Sequence, residues 1–147
     1  MQTKTLDLRK VFGMIISYDE NQQPDSPDKP FEVVTELYPG GKSALHIHPN
    51  QDETYEVKEG EMQLFIDGGW RTLQANQYLT VSKGTVHAFR NTGTQKAVAV
   101  NRHSPGLRFG QMLEETQDLI NERKLTGATG VKNIIYICLQ MMKYDEV

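Results

Sequence analysis

A chain of 147 residues is long enough to close one hydrophobic core without disulfide or metal staples, and it calls for no second domain. Sixteen basic residues against 19 acidic ones give a formal net charge of −3, and no lysine-arginine run tracks a phosphate backbone, so nucleic acid is not an expected partner. The single cysteine, Cys138, lies in an apolar run and reads as a small buried hydrophobe; with no signal-peptide pattern and no run of membrane-spanning length, a cytoplasmic protein with no membrane partner is expected.

Val11 to Tyr18 is apolar and β-branched enough for a first strand, after a polar leader that reads as either an edge strand or a disordered segment. Asp19 to Pro30, rich in proline and aspartate with no apolar residue, reads as a loop. Phe31 to Tyr38 follows as a strand, with Val33, Thr35 and Leu37 on one face and Val34, Glu36 and Tyr38 on the other. Pro39-Gly40-Gly41 turns the chain. His46-Ile47-His48 then reads as strand, bends at Pro49 and resumes at Glu53 to Val57. Met62 to Ile66 and Trp70 to Leu73 are joined by Asp67-Gly68, the strongest short hairpin signal in the chain. Gln77 to Val81 and Thr85 to Asn91 flank Lys83-Gly84, and Ala97 to Arg102 is the last strand. About eight short strands, each closed by a turn, predict an all-β barrel or double-sheet sandwich over residues 1–105.

From Ser104 the pattern changes to helical. Ser104-Pro105 reads as a helix start, and Phe109, Met112, Leu113, Thr116 and Ile120 recur at helical spacing across Arg108 to Lys124. After the break at Thr126 to Gly130, Val131 to Lys143 carries Ile134, Ile135, Cys138, Met141 and Met142, again as a helix. Residues 106–147 are therefore expected to form a helical extension that packs on the barrel or on a partner subunit.

The chemistry concentrates between Gly40 and Gly60. On a strand, His46 and His48 point to one face, and the bend at Pro49 to Asp52 brings a carboxylate back beside them. Glu53 is preferred over Asp52 because it shares a face with Tyr55 and Val57. His87, in an apolar run after Gly84, offers a fourth ligand. Imidazole nitrogens with one carboxylate oxygen suit a divalent transition metal, with manganese, iron, nickel, zinc and copper all compatible. His103, past the last predicted strand, reads as a surface or cap histidine; Arg102 and Arg108 read as solvated, and Tyr38, Tyr55, Phe89 and Trp70 as core.

These residues resemble the motifs of the cupin superfamily. Gly40, five residues, His46-Ile47-His48, four residues, Glu53, six residues and Gly60 fit the first cupin motif throughout. Asn76, Ser82, Gly84, His87 and Asn91 occupy the places of the second, departing from it at Asn76 for glycine and Ser82 for proline, both turn positions. The resemblance covers roughly residues 30 to 103 and implies a single-domain cupin jelly-roll barrel, with a metal held by His46, His48, Glu53 and His87 and, as cupins often do, a homodimer. A six-coordinate metal so held would leave two positions for water, dioxygen or a bidentate oxygen ligand. The resulting expectation is a metal-dependent enzyme on a small organic acid, ketone or phenol, dioxygenase-, isomerase- or decarboxylase-like. The alternative is a non-catalytic cupin that binds a small molecule or sugar, since no acid or base outside the ligands announces itself.

Overall fold

The computed structural model of the protein describes residues 2–22 and 28–145. Its elements run β1 (Thr3–Asp7), α1 (Arg9–Phe12), β2 (Met14–Asp19), β3 (Phe31–Leu37), β4 (Asp52–Glu59), β5 (Glu61–Ile66), β6 (Gly69–Gln74), β7 (Tyr78–Val81), β8 (Ala88–Arg90), β9 (Ala97–Ser104), α2 (Phe109–Asn121) and α3 (Val131–Asp145). The strands form two antiparallel sheets, one in the order β1-β2-β3-β9-β4-β7 and one in the order β6-β5-β8. This is the all-β architecture expected from the strand pattern, in the jelly-roll form that the cupin resemblance implies, followed by the two expected C-terminal helices.

Alternation drives the packing. Phe31, Val33, Thr35 and Leu37 of β3 are buried, as are Glu53, Tyr55 and Val57 of β4, while their strand neighbours are half-buried or exposed. Met62, Leu64 and Ile66 of β5 face them from the second sheet and close the core. The β5-β6 hairpin turns on Asp67 at φ 52° and Gly68 at φ 78°, two successive left-handed residues that match the twist of the strands they join.

Turn positions explain the two departures from the second motif. Asn76 adopts φ 71°, the left-handed conformation that glycine takes freely and asparagine tolerates better than other side chains. Ser82 gives its carbonyl to the Thr85 N–H at 3.1 Å, closing the turn around Gly84 without a proline. Gly60, which ends the first motif, is required on two counts: its φ is 71°, and a Cβ there would lie 2.8 Å from the Lys96 carbonyl oxygen.

Several expectations are corrected. Val11 and Phe12 belong to the short helix α1, not to the first strand, because the Val11 and Phe12 N–H groups both bond the Leu8 carbonyl and reverse the chain. The polar leader is, by contrast, the edge strand that was one of its two expected forms, pairing with β2 with Leu6 opposite Ile16 and buried. His46-Ile47-His48 is held by an isolated bridge, not a regular strand. Strand β9 runs through Ser104, two residues beyond the expected end, so α2 begins at Phe109 rather than at Ser104-Pro105. Cys138 is exposed, because α3 turns Ile137, Gln140, Met141 and Tyr144 inward and leaves Cys138 off that face. Of the expected loop Asp19 to Pro30, Glu20–Gln22 form a 3-10 turn, and residues 23–27 lie outside the described residues.

Candidate metal centre

The two histidine-bearing segments are pinned against each other by a reciprocal pair of backbone bonds. The His46 N–H donates to the His87 carbonyl and the His87 N–H to the His46 carbonyl, both at 2.9 Å. Around this pair the Ser43 N–H bonds the Phe89 carbonyl, and the Gly84 N–H bonds the His48 carbonyl at 2.9 Å. Extended backbone on both sides then does what a strand would do: His46 and His48 point one way, and His87 meets them with its ring centroid 4.2 Å from that of His46. Glu53 comes from β4, where it stands opposite Val81 and His103 and turns its carboxylate inward. One ligand atom from each of His46, His48, Glu53 and His87 lies within 4.8 Å of all the others, so the four could hold one metal ion. Asp52 points away, exposed, with its Oδ1 accepting the Lys83 N–H at 2.8 Å.

The donors fit a metal on their own chemistry. His46 Nδ1 lies 2.7 Å from the Ala44 carbonyl and His87 Nδ1 lies 2.8 Å from the Thr85 carbonyl. A carbonyl only accepts, so both Nδ1 atoms carry hydrogen and both Nε2 atoms turn toward the cluster, the orientation a metal-ligating imidazole needs. Burial, with the neighbouring His48 and His87 adding to it, lowers the His46 pKa from 6.5 to about 3, which keeps the ring neutral and its lone pair available at physiological pH. Three imidazoles and a carboxylate with no thiolate select a borderline divalent transition metal over calcium or magnesium.

Glu53 is only 3% exposed, and a carboxylate there is costly unless compensated. Burial works to raise its pKa, but the charge and hydrogen bonding of His103 lead the opposing effects and hold the carboxyl well below its usual range. The site therefore holds a buried carboxylate ringed by imidazoles, a donor suited to a bound cation. Tyr55, two residues along β4 and fully buried, has its phenol held neutral by burial first and by the nearby Glu53 charge second.

The cluster opens on a cavity of about 140 Å³. Its floor is His46, His48 and Glu53, and its side walls include Met14, Ile16 and Phe89 from the barrel. The roof is supplied by the C-terminal helices: Phe109, Met112 and Leu113 from α2, Ile137 and Met141 from α3. Among all lining residues the polar side chains outside the cluster are Ser43, His103, Thr116 and Gln140, and the last two hydrogen-bond each other across the helix pair at 3.1 Å.

His103 is the residue that sequence reasoning misplaced. It sits inside β9, 1% exposed, with Nε2 3.3 Å from Glu53 Oε1 and its ring stacked on Phe109 at 3.6 Å and 23°. The signal was present in the strand parity: Ala97, Ala99, Asn101 and His103 are alternate residues, and all four are buried. Arg102 is on the other face, paired with Glu32, and Arg108 caps α3 by donating to the Lys143 carbonyl. Tyr55 belongs to the core as expected, whereas Trp70 is 40% exposed and lies under Arg90, 3.7 Å from its ring centroid.

The family model for the cupin domain, Cupin_2, matches residues 33–101, the span that holds all four candidate ligands. The chain carries a cupin domain. The chain is also 36% identical over 69 residues to "Polyketide synthase CurC" of Streptomyces cyaneus, covering 47% of this chain and 45% of that protein. Protein SchB of Streptomyces halstedii is 32% identical over 75 residues, covering 51% of this chain and 54% of that one. The matched cupin part thus spans about half the length of these curated relatives. Among solved structures, a Klebsiella pneumoniae protein with a double-stranded beta-helix domain superposes with a TM-score of 0.51 at 29% identity, over 54% of this chain and 66% of that chain.

Proposed function

We propose that this cupin binds one divalent transition metal through His46, His48, Glu53 and His87 and acts as an enzyme on a small, largely apolar molecule that presents oxygen to the metal, such as a phenol, a ketone or an organic acid. The observation that carries this reading is that three of the four candidate ligands, His46, His48 and Glu53, form the floor of a cavity whose other walls are mostly apolar. When bound, the metal would supply Lewis-acid polarisation of a coordinated oxygen or reaction with dioxygen. The protein's own part is to hold the Nε2 atoms of His46 and His87 toward that point, to keep Glu53 ionised, and to exclude water with Phe109, Met112, Leu113 and Met141. The printed name of the relative from Streptomyces cyaneus, a polyketide synthase, is in keeping with a carbonyl-rich or phenolic substrate.

A second reading has one observation in its favour. Among the described residues, no ionisable side chain apart from the cluster and His103 lines the cavity, as suits a non-catalytic small-molecule binder. Walls this poor in hydrogen-bonding groups narrow that alternative to an apolar ligand rather than a sugar.

Elemental analysis of protein purified without added metal, beside the His46→Ala/His48→Ala double variant, tests the metal. About one transition metal per chain, lost in the variant, supports the proposal, and its absence from both removes it. Turnover of phenol, ketone and acid panels by the loaded protein, with loss in His48→Ala, then separates enzyme from binder.

A further inference from the structure

The two oxygens of Glu53 face different neighbours. Oε2 is 2.9 Å from His87 Nε2 and 3.3 Å from His48 Nε2, on the side of the candidate metal ligands. Oε1 is turned the other way, 3.2 Å from Asn101 Nδ2 and 3.3 Å from His103 Nε2. Neither outer neighbour is placed loosely. Thr35 Oγ1 donates to Asn101 Oδ1 at 3.0 Å, which settles the amide's orientation and leaves Nδ2 for Glu53. The His103 ring is fixed by its stack on Phe109. Thr35, Asn101 and His103 are at most 4% exposed, and they lie on β3 and β9, with β4 hydrogen-bonded to β9 beside them.

We propose that Asn101, oriented by Thr35, and His103 are positioning residues that reserve Oε1 and so restrict Glu53 to donating a single oxygen, Oε2, to the metal. This rests on the metal-binding reading above and deepens it. A carboxylate that chelates through both oxygens must turn both toward the ion, and turning Oε1 inward would strip the buried Asn101 amide of its acceptor. The donor set is thereby held at three nitrogens and one oxygen, and coordination positions stay available for the oxygen atoms of a substrate. A merely structural role would consist of offsetting a buried charge, and it would leave the metal's coordination unaltered.

Cobalt(II) reports the difference. Chelator-treated wild type, Asn101→Leu, His103→Gln and the near-isosteric Thr35→Val are loaded with cobalt(II), and their visible spectra, dissociation constants by chelator competition and thermal midpoints are compared. In Asn101→Leu the ligand-field bands shift and lose intensity as the second carboxylate oxygen joins the metal, and affinity falls roughly 10–100-fold, the usual cost of losing an outer hydrogen bond to a ligand. Thr35→Val moves both in the same direction by less, and it removes only a hydroxyl, so it reports even if a larger change impairs folding. Spectra and affinities within about twofold of wild type in all variants, with only the thermal midpoint lowered, would overturn the proposal while leaving the metal site standing. Failure of the wild type itself to take up cobalt(II) would overturn the metal reading and this inference with it.

Discussion

The burial that keeps His46 neutral should be measurable as acid sensitivity of the metal-free protein. In the folded chain its pKa is lowered from 6.5 to about 3, so protonation favours the unfolded chain. A histidine with a depressed folded pKa contributes stability that is fully present above the unfolded value and is lost as pH falls below it. Between pH 7 and pH 5 the unfolded chain takes up about 0.7 of a proton at this position and the folded chain almost none. At 1.36 kcal/mol per pH unit over the roughly 1.5 units below 6.5, the loss is about 2 kcal/mol, or nearer 1 kcal/mol where water in the open side of the cavity screens the ring. Glu53 contributes in the opposite part of the scale: its depressed pKa gives stability present above about 4.5 and lost below it, so it does not disturb this window. Urea unfolding of chelator-treated wild type and His46→Gln at pH 7 and pH 5 isolates the histidine. The wild type should lose about 1–2 kcal/mol more than the variant over that interval. Equal losses, within about 0.5 kcal/mol, would refute the reasoning and mean that the folded protein accepts the proton at His46 after all.

Other expectations follow from positions described above. Leu64 is fully buried between the sheets, and Leu64→Ala should lower the unfolding free energy by about 2–5 kcal/mol in urea titration. Asn76→Gly should leave the urea midpoint unchanged or raise it, whereas Asn76→Val, forced to φ 71°, should lose about 1–2 kcal/mol. The homodimer expected from the sequence has a candidate surface in the exposed Val131, Ile134, Ile135, Leu139 and Met142 of α3. Sedimentation velocity should then show a dimer for wild type and a monomer for Ile135→Asp/Leu139→Asp, and a monomeric wild type would remove the expectation.

Much of the barrel was legible because a period of two is hard to disguise: Val33, Thr35 and Leu37, or Glu53, Tyr55 and Val57, declare their buried face without reference to anything distant. The grouping of His46, His48, Glu53 and His87 was legible from spacing within two short stretches. What escaped depended on where elements stop. Val11 and Phe12 carry β-branched and aromatic character, yet a tight reversal closing on the Leu8 carbonyl overrides that preference. Ending β9 at Arg102 left His103 outside the sheet, although two more residues of the same alternation place it against Glu53. Cys138 was misjudged because an apolar run on a helix reveals that one face is buried, not which one. The partnership of Thr35, Asn101 and Glu53 joins residues 66 and 48 positions apart, and no local pattern encodes it.

The roof of the cavity has a consequence for how such a protein diversifies. All four candidate ligands lie within residues 33–101, the part shared with other cupins, while Phe109, Met112, Leu113, Ile137 and Met141 lie beyond it. The candidate donor atoms and the roof of the cavity thus lie on separate lengths of chain, while Met14, Ile16 and Phe89 of the barrel complete its walls. Substitutions in α2 and α3 can therefore reshape the roof without touching a candidate donor atom.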